Sequence, residues 1–501
     1  MKLRFSYGTC LLLFVALLTA PIFSSCSKNS SIDEPNIEPD KALNTRLASL
    51  LFEPSLNPSL PYTCRGVISG HTIYVTLPEK VKLSELVPTI VVGVGKTAIV
   101  EAASASNALG VEVLVNNKKI ESGVTKCDFS GTATILVQTT QGTLKNGYYV
   151  CAKNGRPEID NLVYAFMVKY KIPGISFSSS KHEHSAYSAG YGFADTSSKE
   201  RVTTKHLFRL ASMTKCQTAL CIMKLCEQGK LSLDDCPFGK GGLLEKEFGD
   251  AMPGLAKMVT VRNLLQHNSG WISSPVDPVF TNSSTYAGKS LEDRITYVVN
   301  NVPQAYSPGE KYSYYNLGFG ILGKIVEKVS GKEYSRFLEE EIYTPAGITD
   351  MHIGGGRAER RKNEVVYYSQ DGAEGYNNDM QLIKALGGII ASTDELIRLL
   401  SFVDYGVEVP DLLSKATLNK MYAPSQSYIH YALGWRVNHS LFTDWVAYHT
   451  GNLAGTATVW VRGASTTCGA LLCNSRSYSD NFDTELLELA NDILNEVNGS
   501  Y

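Results

Sequence analysis

The sequence predicts two folded domains of different class: a small all-β sandwich over about residues 45–153, then an α/β (α+β) domain over residues 158–501. Two observations carry this. The first region holds five short β-type runs separated by turn residues. The second runs strand, helix, strand, with apolar residues at helical period in its middle. A chain of 501 residues accommodates two such domains and a tether.

At the N-terminus, Lys2 and Arg4 precede the apolar run Cys10–Ala20, which is short for a bilayer span. Phe23-Ser24-Ser25-Cys26 resembles a relaxed bacterial lipobox, small residues ahead of a cysteine. Residues 1–25 therefore read as a lipoprotein signal peptide and Cys26 as the lipid anchor, on a bacterial membrane facing the periplasm or cell surface. Plain signal-peptidase cleavage near Ser25 is the alternative. The polar, Pro-containing segment 26–44 reads as a flexible tether.

The five runs of the first domain are Thr72–Leu77, Thr89–Val92, Val111–Val115, Ala133–Val137 and Tyr148–Cys151. Their length and spacing argue for an immunoglobulin-like sandwich. Asn154-Gly155-Arg156-Pro157 marks its end. In the second domain, Gly174–Ser178 and Ser185–Gly192 read as an early hairpin. Strands around His449 and at Leu471–Asn474 come late, and Glu485–Val497 reads as an amphipathic closing helix.

Three motifs lie in order along that domain: Ser212-Met213-Thr214-Lys215, Tyr314-Tyr315-Asn316 and His449-Thr450-Gly451. A serine hydroxyl is a weak nucleophile until a base takes its proton. A lysine three residues on along a helix shares its face, one turn away, and burial makes its amine a base near neutral pH. A tyrosine from elsewhere then relays the proton to the leaving group. Each motif alone has an ordinary reading: a Ser N-cap, one aromatic among 27 tyrosines, a strand histidine. Together they point to a serine acyl-enzyme hydrolase.

With these motifs the chain resembles the penicillin-recognising serine hydrolases: class C β-lactamases, low-molecular-mass DD-peptidases and their esterase and D-aminopeptidase relatives. The phrases Leu264–Gly270, Ser307–Glu310, Gly387–Thr393 and Tyr431–Trp435 add to the likeness. The resemblance implies a β-lactamase/transpeptidase-like fold, an antiparallel sheet with an inserted helical subdomain. It implies that Ser212 is the nucleophile, Lys215 the base and Tyr314 the proton relay. It assigns Asn316 to bonding the lysine and the acyl side chain, the backbone amides of Ser212 and Asn452 to an oxyanion hole, and His449, Thr450 and Gly451 to substrate binding. Class C β-lactamases carry Lys-Thr-Gly at the third motif. A histidine there, only partly charged at pH 7, leads us to expect weaker binding of a β-lactam carboxylate.

A net charge of −2 gives no basic footprint for nucleic acid. His182-Glu183-His184 is a compact His/Glu cluster that reads as a turn, no zinc spacing appears, and the chemistry calls for no metal or cofactor. Cys216, Cys221 and Cys226 read as small buried apolar residues. Among Cys64, Cys127 and Cys151, one pair is placed to bond in an oxidising compartment. Trp271, Tyr312, Tyr315, Trp435 and Tyr448 are candidates to line an apolar acyl pocket, with packing the plainer reading for Trp435. The partner is then a small-molecule or peptide acyl substrate. Alternatives are an acyltransferase that passes the acyl group to an alcohol or amine, and a non-catalytic penicillin-binding-like sensor.

Overall fold

The computed structural model describes residues 43–94, 98–101, 110–250, 253–281, 283–438, 442, 444–464 and 466–499. The expected signal peptide, the expected lipid anchor at Cys26 and residues 27–42 of the expected tether lie outside the described residues.

The first domain is all β. Cys64–Arg65, Leu43–Phe52, Thr89–Val94 and Ala98–Glu101 form one sheet in that order; Val67–Ser69, Thr72–Pro78, Lys145–Gly155, Thr132–Thr139, Val111–Val115 and Lys118–Ile120 form the other. The five expected runs are all strands, and shorter or more polar ones join them. Thr132–Thr139 shows why: its residues alternate half-buried and buried, the period-two signature of a sheet with one face on a core. That core gathers Leu50, Phe52, Ile73, Val75, Ile90, Ile135, Val137 and Val150. Thr72–Pro78 and Lys145–Gly155 pair in parallel, the other strand pairs antiparallel. Cys64, Cys127 and Cys151 all carry free thiols, which corrects the expectation of a bonded pair. Each is instead a buried apolar-like side chain.

The second domain opens with the helix Pro157–Tyr170, started by proline at its first turn. A seven-stranded antiparallel sheet follows, in the order Glu200–Arg201, His184–Asp195, Gly174–Lys181, Cys468–Cys473, Thr456–Gly463, Trp445–Leu453, Arg436–Val437. Early and late segments thus build one sheet. Cys468–Cys473 and Thr456–Gly463 are buried at every position because both faces are covered. Pro157–Tyr170 and the closing helix Phe482–Asn498 cover one face, in a core with Phe177, Val459 and Leu471. The helical subdomain covers the other, in a core running from Leu210 through Phe319 to Leu472. His182 and Glu183 form the hairpin turn, both at positive φ, and the Glu183 carboxylate accepts the N–H groups of Glu408 and Val409.

The two domains meet through buried groups. Lys153 pairs with Asp160 at 2.8 Å, and the ring of Tyr74 stacks on that of Tyr164 at 5.0 Å.

Candidate active site

Ser212 sits in a single 3₁₀ turn, Ala211–Met213, that runs directly into the helix Thr214–Glu227. Ala211 has φ +49° and is almost wholly buried. Such a backbone is held by its surroundings. Here Leu210 N–H donates to the carbonyl of Ile389 at 2.9 Å, and Thr458 Oγ1 donates to the carbonyl of Leu210 at 3.0 Å. The turn is thereby clamped between a short strand of the helical subdomain and the main sheet. Gly451 permits this approach: a Cβ there would lie 2.1 Å from the Leu210 carbonyl oxygen.

Lys215 is fully buried, and its Nζ lies 3.0 Å from Ser212 Oγ and 2.8 Å from the carbonyl oxygen of Leu386. Burial drives its pKa down to about 7; Asp277 and Cys216 oppose this and Arg436 adds to it. The ammonium is therefore deprotonated in a large fraction at neutral pH. Tyr314 places its ring centroid 5.1 Å from that nitrogen. Burial pushes its phenol up, against a hydrogen bond with Ser212, so it is held neutral. Asn316 begins the helix Asn316–Ser330. Its Nδ2 donates to Asp277 Oδ2 at 2.8 Å, whereas Lys215 finds its partners in Ser212 and Leu386. This differs from the lysine contact that resemblance implied for Asn316.

His449 differs from expectation too. It is 1% exposed, and burial, then Arg436 and Lys215, hold its imidazole well below the ordinary range. Both nitrogens are occupied. The chain of bonds has one consistent proton order. Tyr315 N–H donates to His267 Nδ1 at 3.1 Å, so the His267 proton is on Nε2, 3.2 Å from the Tyr431 hydroxyl. Tyr431 then donates to His449 Nε2 at 3.1 Å, and His449 Nδ1–H donates to the carbonyl of Thr450 at 2.7 Å. A partly charged imidazole offered to a carboxylate is thus replaced by a locked neutral one. The Leu264–Gly270 and Tyr431–Trp435 phrases supply two of its three members.

Arg476, paired with Asp483, is one cation of the site; another, missed like it by the sequence reading, is Arg436. It lines one cavity of about 490 Å³ with Ser212, Tyr314, Asn316, His449, Thr450 and Asn452. Its Nε is a buried donor without a hydrogen-bond partner. Its signal in the sequence is slight: a charge directly after the buried run Tyr431–Trp435, on a strand whose Arg436 pairs with Tyr448. A larger cleft of about 700 Å³ shares Phe280, Asn377 and Asn378 with this cavity but is lined by no residue of the three motifs. Trp271, Tyr315 and Trp435 are core residues; Trp435 stacks on Trp460 at 5.0 Å. Tyr312 is half-buried and stacks on Tyr428 at 4.4 Å. The packing reading therefore holds for the three most buried of the five.

Comparison with known proteins gives the chain a family. The beta-lactamase family model matches residues 159–492. The chain is 25% identical over 328 residues to penicillin-binding protein 4* of Bacillus subtilis (strain 168), covering 62% of this chain and 69% of that protein. It is 26% identical over 196 residues to protein flp of Staphylococcus aureus (strain NCTC 8325 / PS 47), covering 39% of this chain and spanning only 38% of that protein's length. Among solved structures, the octameric penicillin-binding protein homologue from Pyrococcus abyssi superposes with a TM-score of 0.57 at 26% identity, over 68% of this chain and 77% of that one.

Proposed function

The chain belongs to the beta-lactamase family, and from that premise we propose that it is a serine acyl-enzyme hydrolase cutting an amide or ester bond through Ser212. The observation that carries this is the 3.0 Å separation of Ser212 Oγ from a buried Lys215 amine whose pKa lies near 7. Lys215 takes the hydroxyl proton as Oγ attacks the acyl carbon. The backbone amides of Ser212 and Asn452 take the developing oxyanion. Tyr314 hands the proton to the leaving group, and water later cleaves the acyl-enzyme by the reverse relay.

Arg436, whose Nε is a buried donor without a hydrogen-bond partner, supports a substrate with a carboxylate beside the scissile bond, which a guanidinium binds by charge-assisted hydrogen bonds. Peptidase- or esterase-like turnover then exceeds β-lactam turnover, since the neutral His449 stands where class C β-lactamases present a lysine. Intact-mass spectrometry with a fluorophosphonate, a p-nitrophenyl ester, nitrocefin and a D-Ala-D-Ala peptide tests this. A Ser212-dependent adduct is expected, and Ser212→Ala abolishes it with the fold intact. Labelling at an unchanged rate in Ser212→Ala sinks the assignment. Adding an alcohol acceptor reads out acyl transfer in the same assay.

We place this activity on a lipid anchor at Cys26, at the periplasmic or outer cell surface. Metabolic labelling with a lipid analogue is expected in the wild type and absent in Cys26→Ala.

A further inference from the structure

The loop from Trp271 to Phe280 is built around one carboxylate. Asp277 Oδ2 accepts from Asn316 Nδ2 at 2.8 Å, and Oδ1 accepts the N–H of Val279 at 2.8 Å. Four further bonds fix the loop. Trp271 Nε1 donates to Val302, Ser273 Oγ donates to the carbonyl of Tyr314, and Arg294 Nη1 donates to Pro278 and Val279. A carboxylate only accepts, so it settles which end of the Asn316 amide faces it. The amide oxygen and the second N–H are left toward the cavity that Asn316 lines.

Asp277 has a second reach. The groups that act on the buried Lys215 amine are Ser212 and Cys216 of its own segment, Tyr314, the cation Arg436, the neutral His267 and His449, and Asp277. Asp277 is the one carboxylate in that set.

We infer that Asp277 is a positioning residue of this site: it orients the Asn316 amide and supplies the negative charge that balances Arg436 at Lys215. This rests on Lys215 acting as the base. Without the carboxylate, Arg436 and burial act on the amine with less to oppose them. The amine then loses its proton more readily and becomes a weaker base toward the serine.

Three variants of the full chain separate the two roles. Asp277→Asn keeps an acceptor for Asn316 and removes the charge. Asp277→Glu restores the charge. Asp277→Ala removes both. The first readout is the titration of labelled Lys215 by NMR in the resting protein, which needs no turnover. We expect its midpoint to move down by about 0.5 or more on the pH scale in Asp277→Asn and to return in Asp277→Glu. The second is the rate of Ser212 acylation by a fluorophosphonate against pH. Its acid limb moves with the Lys215 midpoint, and its plateau falls about tenfold in Asp277→Ala, the worth of one positioned hydrogen bond. An unchanged Lys215 midpoint in Asp277→Asn overturns the inference. So does an equal loss in Asp277→Glu and Asp277→Asn, which marks a merely structural residue. If Asp277→Ala does not fold, the Asn and Glu variants decide. A wild type that never labels at Ser212, together with a shifted midpoint in Asp277→Asn, overturns the hydrolase reading while upholding the action of the Asp277 charge on Lys215.

Discussion

Tyr431 and His449 share a 3.1 Å hydrogen bond that occupies the last free nitrogen of the third motif's imidazole. The other nitrogen is committed to the Thr450 carbonyl, and burial keeps the ring neutral. His449 is therefore held as a neutral ring beside the nucleophile turn, and under the proposed function the positive charge for a substrate carboxylate is assigned to Arg436.

Arg436→Gln tests that division. For an ester or amide with a free carboxylate, KM should rise or kcat/KM fall by roughly ten- to a hundredfold, the worth of a charge-assisted hydrogen bond of about 1.5–3 kcal/mol. A neutral p-nitrophenyl ester should be hydrolysed at nearly the wild-type rate. Equal losses on both substrates would remove Arg436 from carboxylate recognition.

Acylation should depend on pH through Lys215. The base must be neutral, so the rate rises with pH and levels off above the lysine pKa, near 7. Lys215→Ala should lower the rate by about 10²–10⁴ and abolish this limb. The pH profile of fluorophosphonate labelling measures both.

Gly451→Ala should disable the site from the strand side. The new Cβ would meet backbone at Leu210 and the Thr458 hydroxyl at 2.3 Å. Relief requires the strand to leave the nucleophile turn. We expect a stability loss on the order of 1–3 kcal/mol and a loss of labelling larger than stability alone accounts for, read by thermal unfolding beside mass spectrometry.

The two neutral imidazoles carry a pH signature in stability. His267 and His449 resist protonation in the fold, while in the unfolded chain they titrate at about 6.5. Unfolding therefore takes up protons below that pH. Stability falls as pH drops through 6.5, by up to about 1.4 kcal/mol per pH unit for each ring. His267→Gln should reduce the slope of urea-unfolding free energy between pH 6.5 and 5.5 by about one proton's worth. An identical slope in wild type and variant would mean that His267 is charged in the fold.

Much of the molecule was legible in the chain because it rests on local pattern. Alternation marked the longer strands of the β domain, and a three-residue offset on a helix set Lys215 beside Ser212 whatever else packed around them. The order of the three motifs was enough to name Ser212, Lys215 and Tyr314. Short and polar strands such as Lys118–Ile120 escaped, since their pairing and not their composition makes them strands. What only the tertiary structure decided is the charge of each group in the site. His449 reads as a titratable histidine until Tyr431 and the Thr450 carbonyl fill its bonding and the core buries it. Arg436 and Asp277 belong to none of the three motifs; strand pairing sets Arg436 opposite Tyr448, and a pinned loop sets Asp277 against Asn316. Ionisation depends on burial and on neighbours distant in sequence, and neither is written in the periodicity of a single segment.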